Sequence, residues 1–493
     1  MKYVLNNQEM QNVDKETIEQ IGVPGLVLME RASEKIAGRL MKAAGKQDRI
    51  LAVAGCGNNG GDALAAARIL LEEGFSVDYT VTGNLEKASG DLKTQLGILN
   101  RLGYEMKKDA DFNDYDWILE GLFGVGLSRE ISGVYRTAVE NINGSRAKVL
   151  SVDIPSGISG DTGKVLGCAV KADATVTFGG PKAGHLLYPG RSYSGRLYTE
   201  RIGFFDQTLK KYAGGFSYDR EDLLKLPKRK ADSHKGTYGK VLIAAGNESM
   251  SGAAYFSAKS ALRMGSGLVK VISHASNRPI LQSMLPEVLF GTEEDLEDSL
   301  AWCDCILFGP GMGVSGRTKR LLETVLSHGT KPLVLDADGL NTVSRYEMQL
   351  NYQKGCILTP HLLEAARLLH ISAEQVKEDL LGAGHRAADQ FQSVVVLKDA
   401  ATLAVSGDDP VYYNRSGNHG MATGGSGDVL SGIIASLLGR GMEPFEAAAL
   451  GVYVHGLAGD HAAERLGHDS MLASDIIDSV SSVLGGIKNE SVL

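Results

Sequence analysis

Apolar and polar positions follow two rhythms along the 493 residues. Short continuous apolar runs, such as Ile50-Leu51-Ala52-Val53-Ala54, are followed by longer stretches in which apolar residues return every three or four positions. The first rhythm predicts strands buried on both faces and the second predicts amphipathic helices. In the first third this gives a helical stretch over 14–46, interrupted near Gly22-Val23-Pro24-Gly25, then a strand at 49–54 and a helix at 61–74. A strand at 76–82, a helix at 88–103, a strand at 115–121, a helix at 133–143 and strands at 148–153 and 174–178 follow. Strands separated by helices need crossover connections, so the sheet is expected to be parallel and covered on both faces.

After Gly203 the rhythm breaks into the polar stretch Lys210-Lys211-Tyr212-Ala213-Gly214-Gly215 and the basic run Lys228-Arg229-Lys230, which puts a boundary near 212–225. A second alternation starts at 238–246. Its strands fall near 268–273, 304–308, 332–336, 355–358, 394–397 and 402–406, and helices follow at 426–439, 444–466 and 471–484. The expected fold is α/β, two doubly wound domains spanning 1–215 and 223–493.

Composition narrows the function. A net charge of −8 disfavours a phosphate-backbone partner, so nucleic acid is not expected. The first twenty residues lack a basic segment leading into an apolar core, and no run of 18 apolar residues occurs, so neither export nor membrane insertion is expected. The five cysteines are scattered and odd in number, which fits a reducing cytoplasm better than a disulfide framework. The 61 glycines, about one residue in eight, gather in short runs at the ends of apolar strands, where a backbone can come close to a ligand.

The strand at 49–54 runs into Gly55-Cys56-Gly57-Asn58-Asn59-Gly60-Gly61-Asp62, and a helix begins at once. A Gly-rich turn at a helix start presents unpaired N–H groups to an anion, so a phosphate-bearing ligand is one reading and a tight turn without a ligand is the other. Glu120-Gly121-Leu122-Phe123-Gly124-Val125-Gly126 and Asp153-Ile154-Pro155-Ser156-Gly157 lie at further strand ends and could converge on the same crevice. Asp153 is the acid/base candidate of this half, against the plainer reading of a turn-forming carboxylate.

GCGNNGGD, EGLFGVGL, VDIPSGISGDTG and GGPKAGHLLYPG together resemble the NAD(P)H-hydrate epimerase family. The resemblance implies a Rossmann-like domain that interconverts the R and S forms of hydrated NADH or NADPH (NADHX and NADPHX) and binds K⁺. By position, Asn58, Asn59, Gly60, Gly61 and Asp62, with Gly124, Val125, Gly126, Leu127, Ser128, Arg129 and Glu130, would hold the dinucleotide. Asp153 would stand close to the reacting nicotinamide, and Asn59, Glu120 and Ser156 would supply oxygen ligands to K⁺. The family usually has Asp where Glu120 stands; the extra methylene keeps the carboxylate and changes its reach. Cys56 reads as a small buried hydrophobe.

In the second half the densest signal is Asn418-His419-Gly420-Met421-Ala422-Thr423-Gly424-Gly425-Ser426-Gly427-Asp428, leading into an apolar helix. Small residues at 424–427 can gather amides round a phosphate, and Asp428 can take a proton from a nucleophilic hydroxyl. Loops at 309–313, 336–341, 359–364 and 398–402 also follow strands. Lys398 is either a phosphate partner or a solvated charge, and His361 either a substrate contact or a helix-turn residue.

SHKGTYGK, GPGMG, LDADGLN, LTPHLLEA, VLKDAAT and GMATGGSGDVLSG resemble the ADP-dependent NAD(P)H-hydrate dehydratases, a ribokinase-like family. The resemblance implies contacts to hydrated NADH or NADPH from Ala254, Gly313, His361 and Asp428. It implies nucleotide contacts from Lys398, Asp399, Ala400, Ala401, Thr402 and Gly427, with Mg²⁺ accompanying ADP, and a homo-oligomer is expected. Asp399 stands where Gly is usual. A small-alcohol kinase would use the same anion hole and base but would not need the first half; a scaffold role for that half is the third possibility.

Overall fold

The computed structural model describes residues 1–350, 352, 355–407 and 409–486. The chain divides into two compact units, Lys2–Phe216 and Ser217–Leu493 together with Met1.

The first unit holds a six-stranded sheet in the order Ser76–Val81, Arg49–Ala54, Trp117–Gly121, Lys148–Val152, Ala174–Phe178, Arg196–Glu200, with every pair parallel. The strand order reverses between Arg49–Ala54 and Trp117–Gly121, which opens a crevice beyond their carboxyl ends. The apolar alternation works as expected: Ile50, Ala52 and Ala54 face one buried layer with the helix Asn58–Glu72, while Leu51 and Val53 face another with Gly133–Gly144. The long amino-terminal helical stretch is three pieces, Asn7–Lys15, Glu16–Gln20 and Gly25–Ala43, broken where Gly22 takes a φ of 86° before Pro24. The edge strand Arg196–Glu200 was not expected, because its mixed polar sequence carries no buried-strand rhythm.

The strands of the second unit run Val411–Tyr413, Leu403–Val405, Val394–Leu397, Cys356–Leu358, Leu333–Leu335, Cys305–Phe308, Lys240–Ala244, Leu268–Ile272, Leu289–Gly291. From Val394–Leu397 to Leu289–Gly291 all pairs are parallel, and the order reverses between Cys305–Phe308 and Lys240–Ala244. Beside Val394–Leu397 the parallel arrangement gives way to Leu403–Val405 and Val411–Tyr413, which are antiparallel and leave the doubly wound fold as expected. The connection at 398–402 is too short for a crossover, so the chain can only turn back there. The helices Ser426–Gly439 and Pro444–Leu466 are rich in buried apolar residues and pack in the interior beside the sheet. Among the described residues, no helix is long and apolar enough to cross a membrane.

Candidate functional site

In the first unit the turn after Arg49–Ala54 and the loop after Trp117–Gly121 are interlocked. A side-chain carbon at Gly55 would sit 1.9 Å from the Leu122 carbonyl oxygen, and one at Gly60 would sit 2.0 Å from that of Gly55. These glycines serve the approach of one backbone to another. The loops border a cavity of about 580 Å³ lined by Asn58, Asn59, Asp62, Gly124, Val125, Gly126, Leu127 and Asp153 from the expected set. Gly60 and Gly61 are buried behind it, and Ser128, Arg129 and Glu130 lie exposed outside its wall. Cys56 is half-buried rather than buried, its thiol 3.4 Å from the Thr82 and Asn84 carbonyls.

Asp153 takes a φ of 63°, a left-handed conformation unusual for a residue with a side chain. It turns the carboxylate onto Lys182, which is 1% exposed: Nζ donates to Asp153 Oδ1 at 2.6 Å and to Thr177 Oγ1 at 2.8 Å, and Thr177 Oγ1 donates to Asp153 Oδ1 at 3.0 Å. Burial works to raise Asp153, yet the Lys182 ammonium outweighs it and holds the carboxyl below its usual range. Asp62 goes the other way: burial, then the charges of Asp153, Asp14 and Asp91, push it well above the usual carboxylate range. Neither Lys182, although it lies within GGPKAG, nor Asp14 has a local sequence pattern that marks it for this role.

Glu120 and Ser156 meet beside this cavity. Glu120 is fully buried; Oε1 accepts from Ser156 Oγ at 2.5 Å and Leu122 N at 2.8 Å, and Oε2 accepts from Ser151 Oγ at 2.7 Å and Ser156 N at 3.3 Å. Burial pushes its carboxyl up, and no cation among the described residues offsets this. Asn59 lies alongside, its side-chain oxygen 3.1 Å from where a carbon on Gly124 would be, and its Nδ2 is buried without a hydrogen-bond partner.

In the second unit Asp428 stands in the first turn of Ser426–Gly439, whose start is held by Ser426 Oγ against the buried His455 Nε2 at 3.4 Å. Lys398 Nζ donates to Asp336 Oδ1 at 2.8 Å and lies 4.0 Å from Glu364. A carbon on Gly427 would sit 3.4 Å from the same Nζ. Burial, then the Asp336 charge, pushes Asp428 up to about 7, with Lys398 pulling the other way. Burial would lower Lys398, but Asp336 and Glu364 prevail and raise it. Gly313 N donates to Asp338 Oδ2 at 2.7 Å, after Ala337 bends at a φ of 48°.

His361 acts as a helix cap, its Nδ1 accepting from Leu363 and Glu364 N–H at 3.1 and 3.3 Å, while its Nε2 lies 3.4 Å from Glu364 Oε1. Asp399 to Thr402 form the turn between antiparallel strands; Ala400 is exposed, Ala401 is buried and Thr402 Oγ1 donates to the Asp399 carbonyl. Ala254 is fully buried, with its methyl 3.1 Å from where a carbon on Gly246 would be. Asp336 and Glu364 were quoted in the sequence motifs without a role; only packing reveals them as the partners of Lys398.

Two family models match. The first, the YjeF-related protein N-terminus, covers residues 25–184, and the second, NAD(P)H-hydrate dehydratase, covers 241–482. The chain is 38% identical to a bifunctional NAD(P)H-hydrate repair enzyme of Thermofilum pendens, over 98% of this chain and 97% of that one. It is 35% identical to a like-named enzyme of Moorella thermoacetica, over 99% and 98%. An ADP/ATP-dependent NAD(P)H-hydrate dehydratase from Bacillus subtilis, co-crystallized with ATP and Mg²⁺, is similar at 27% identity and a TM-score of 0.50, covering 54% of this chain and 96% of that one.

Proposed function

The chain belongs to the bifunctional NAD(P)H-hydrate repair enzymes, and from that premise we propose how its residues divide the work. The first unit carries the epimerase activity on hydrated NADH and NADPH, and the second carries the ADP-dependent dehydratase activity. The observation that supports two separate sites best is the pair of strand-order reversals, each with a Gly-rich turn and a carboxylate displaced from its ordinary acidity.

In the second unit Asp428 is the base. It takes the proton of the C6 hydroxyl as that oxygen forms a bond to the terminal phosphorus of ADP and the phosphoanhydride breaks, giving AMP. Amides at the start of Ser426–Gly439 and the Lys398 ammonium face the transferred group. The C6–O bond then breaks, phosphate departs, and a proton lost from C5 leaves the dihydronicotinamide. Asp338, with only Oδ2 engaged among the described residues, would hold a Mg²⁺ carried in with the nucleotide, which supplies charge neutralisation on the phosphates.

In the first unit the amides at 58–62 take the dinucleotide phosphates, and Asp153 with Lys182 faces the nicotinamide. K⁺ fits the oxygen cluster at Glu120: a wholly buried carboxylate without a cation is costly, and Ser156 Oγ and the Phe123 carbonyl, 3.1 Å apart, complete a donor set suited to a hard ion. KCl titrated against choline chloride is expected to raise the melting temperature of the wild type and to leave Glu120→Gln unmoved. An equal response in both would take Glu120 out of the cation site.

The overall test is absorbance recovery from mixed-epimer hydrated NADH. Full recovery with ADP and none without nucleotide is expected; no recovery with ADP or ATP would overturn the assignment.

A further inference from the structure

Epimerisation at C6 can run by departure of the hydroxyl and return of water on the other face. The departing oxygen takes a proton, the C6–O bond breaks as the N1 lone pair closes an iminium, and water leaves. Water then adds to C6 as that pair returns to N1, and its proton passes to a carboxylate. Nothing is oxidised or reduced, but the site needs one carboxyl that arrives protonated beside one that stays ionised.

Asp153 is held ionised by Lys182. A second carboxyl faces the same cavity from an element outside the matched 25–184 segment, the helix Asn7–Lys15, which forms a wall of it. Its Asp14 lines that cavity together with Asp153, Lys182, Asp62 and Asp91. No hydrogen bond or ion pair to the Asp14 carboxyl occurs among the described residues, whereas its neighbours along the chain are committed elsewhere. Glu9 caps its own helix, and Glu16 binds Lys211 and Tyr212 of the packed helix Asp206–Tyr212. Lys15 is exposed.

Resting on the reading of this cavity as the epimerase site, we infer that Asp14 is the general acid that delivers the proton to the departing C6 hydroxyl. Burial pushes its carboxyl up to about 6, with Lys182 lowering and Asp153 raising it. A group so poised can give up and regain a proton in each turnover.

The test measures R-to-S conversion of hydrated NADH by the full chain without nucleotide, over roughly pH 5 to 9, with the uncatalysed interconversion subtracted. In the wild type kcat/KM falls as pH rises through about 6, because the acid form is the active one. Asp14→Asn is expected to lose about 100-fold or more and that pH limb, while Asp14→Glu restores part of both. ADP-dependent dehydration of the S epimer reports that the other unit is intact, and a wild-type rise of the melting temperature with KCl reports that the first unit of the variants is folded. A wild-type pH profile in Asp14→Asn would overturn the inference, as would a loss that Asp14→Glu does not relieve. Wild-type epimerisation in Asp153→Ala would instead remove the site reading itself.

Discussion

Asp428→Asn recovers NADH from the S epimer with ADP about 10²- to 10⁴-fold more slowly than the wild type, the range that a positioned general base supplies. The amide keeps the shape of the carboxylate and the helix start while removing the carboxylate proposed to take the hydroxyl proton. The pH profile sharpens the assignment. The ionised form is the base, so wild-type activity rises with pH through about 7, and the residual activity of the variant lacks that limb. Stability moves in the opposite direction. A carboxylate whose acidity is weakened by folding costs the native state more as pH rises above its unfolded value towards 7, so Asp428→Asn melts higher than the wild type at pH 8. Steady-state rates and melting curves on the same preparation check both; a variant equally slow but less stable would point to structural damage.

Lys182→Met stops mixed-epimer recovery at the S fraction, beyond the slow uncatalysed interconversion. The ammonium is buried and bound to Asp153, Thr177 Oγ1 and the Phe178 carbonyl, so its removal leaves a buried carboxylate unpaired. Losing one member of a buried pair costs about 3 to 5 kcal/mol, and the cost falls on the unit Lys2–Phe216. Asp153→Asn should lose epimerisation by about 10²-fold or more while keeping the hydrogen-bonding shape. Chiral separation of the remaining substrate gives the readout. Complete recovery at the wild-type rate in either variant would show that the pair serves only to hold the fold together.

The sheets were legible because runs such as Ile50 to Ala54 and Val394 to Leu397 are buried on both faces and carry no polar interruption. The strand Arg196–Glu200 was not, since its mixed sequence matches an exposed edge. For the site, motif spacing pointed to the turns at 55–62 and 424–428, which are local in sequence. Lys182, Asp336, Glu364 and Asp14 escaped a role because each acquires its chemistry from a partner brought near by the fold: Asp14 faces Asp153 from 139 positions away, and Lys398 meets Asp336 across 62. His361 shows the converse, since the helix-capping geometry was implicit in its place before Leu362–Leu369.

The Leu122 carbonyl lies so close to Gly55 that no side-chain carbon would fit between them, so the two loops of the first unit that border the cavity pack on each other through backbone. In the proposed epimerase site the dinucleotide would meet loops already packed on each other. Little chain entropy is then surrendered on binding, and the heat-capacity change measured by calorimetry should report the apolar surface that the ligand covers rather than the ordering of a lid.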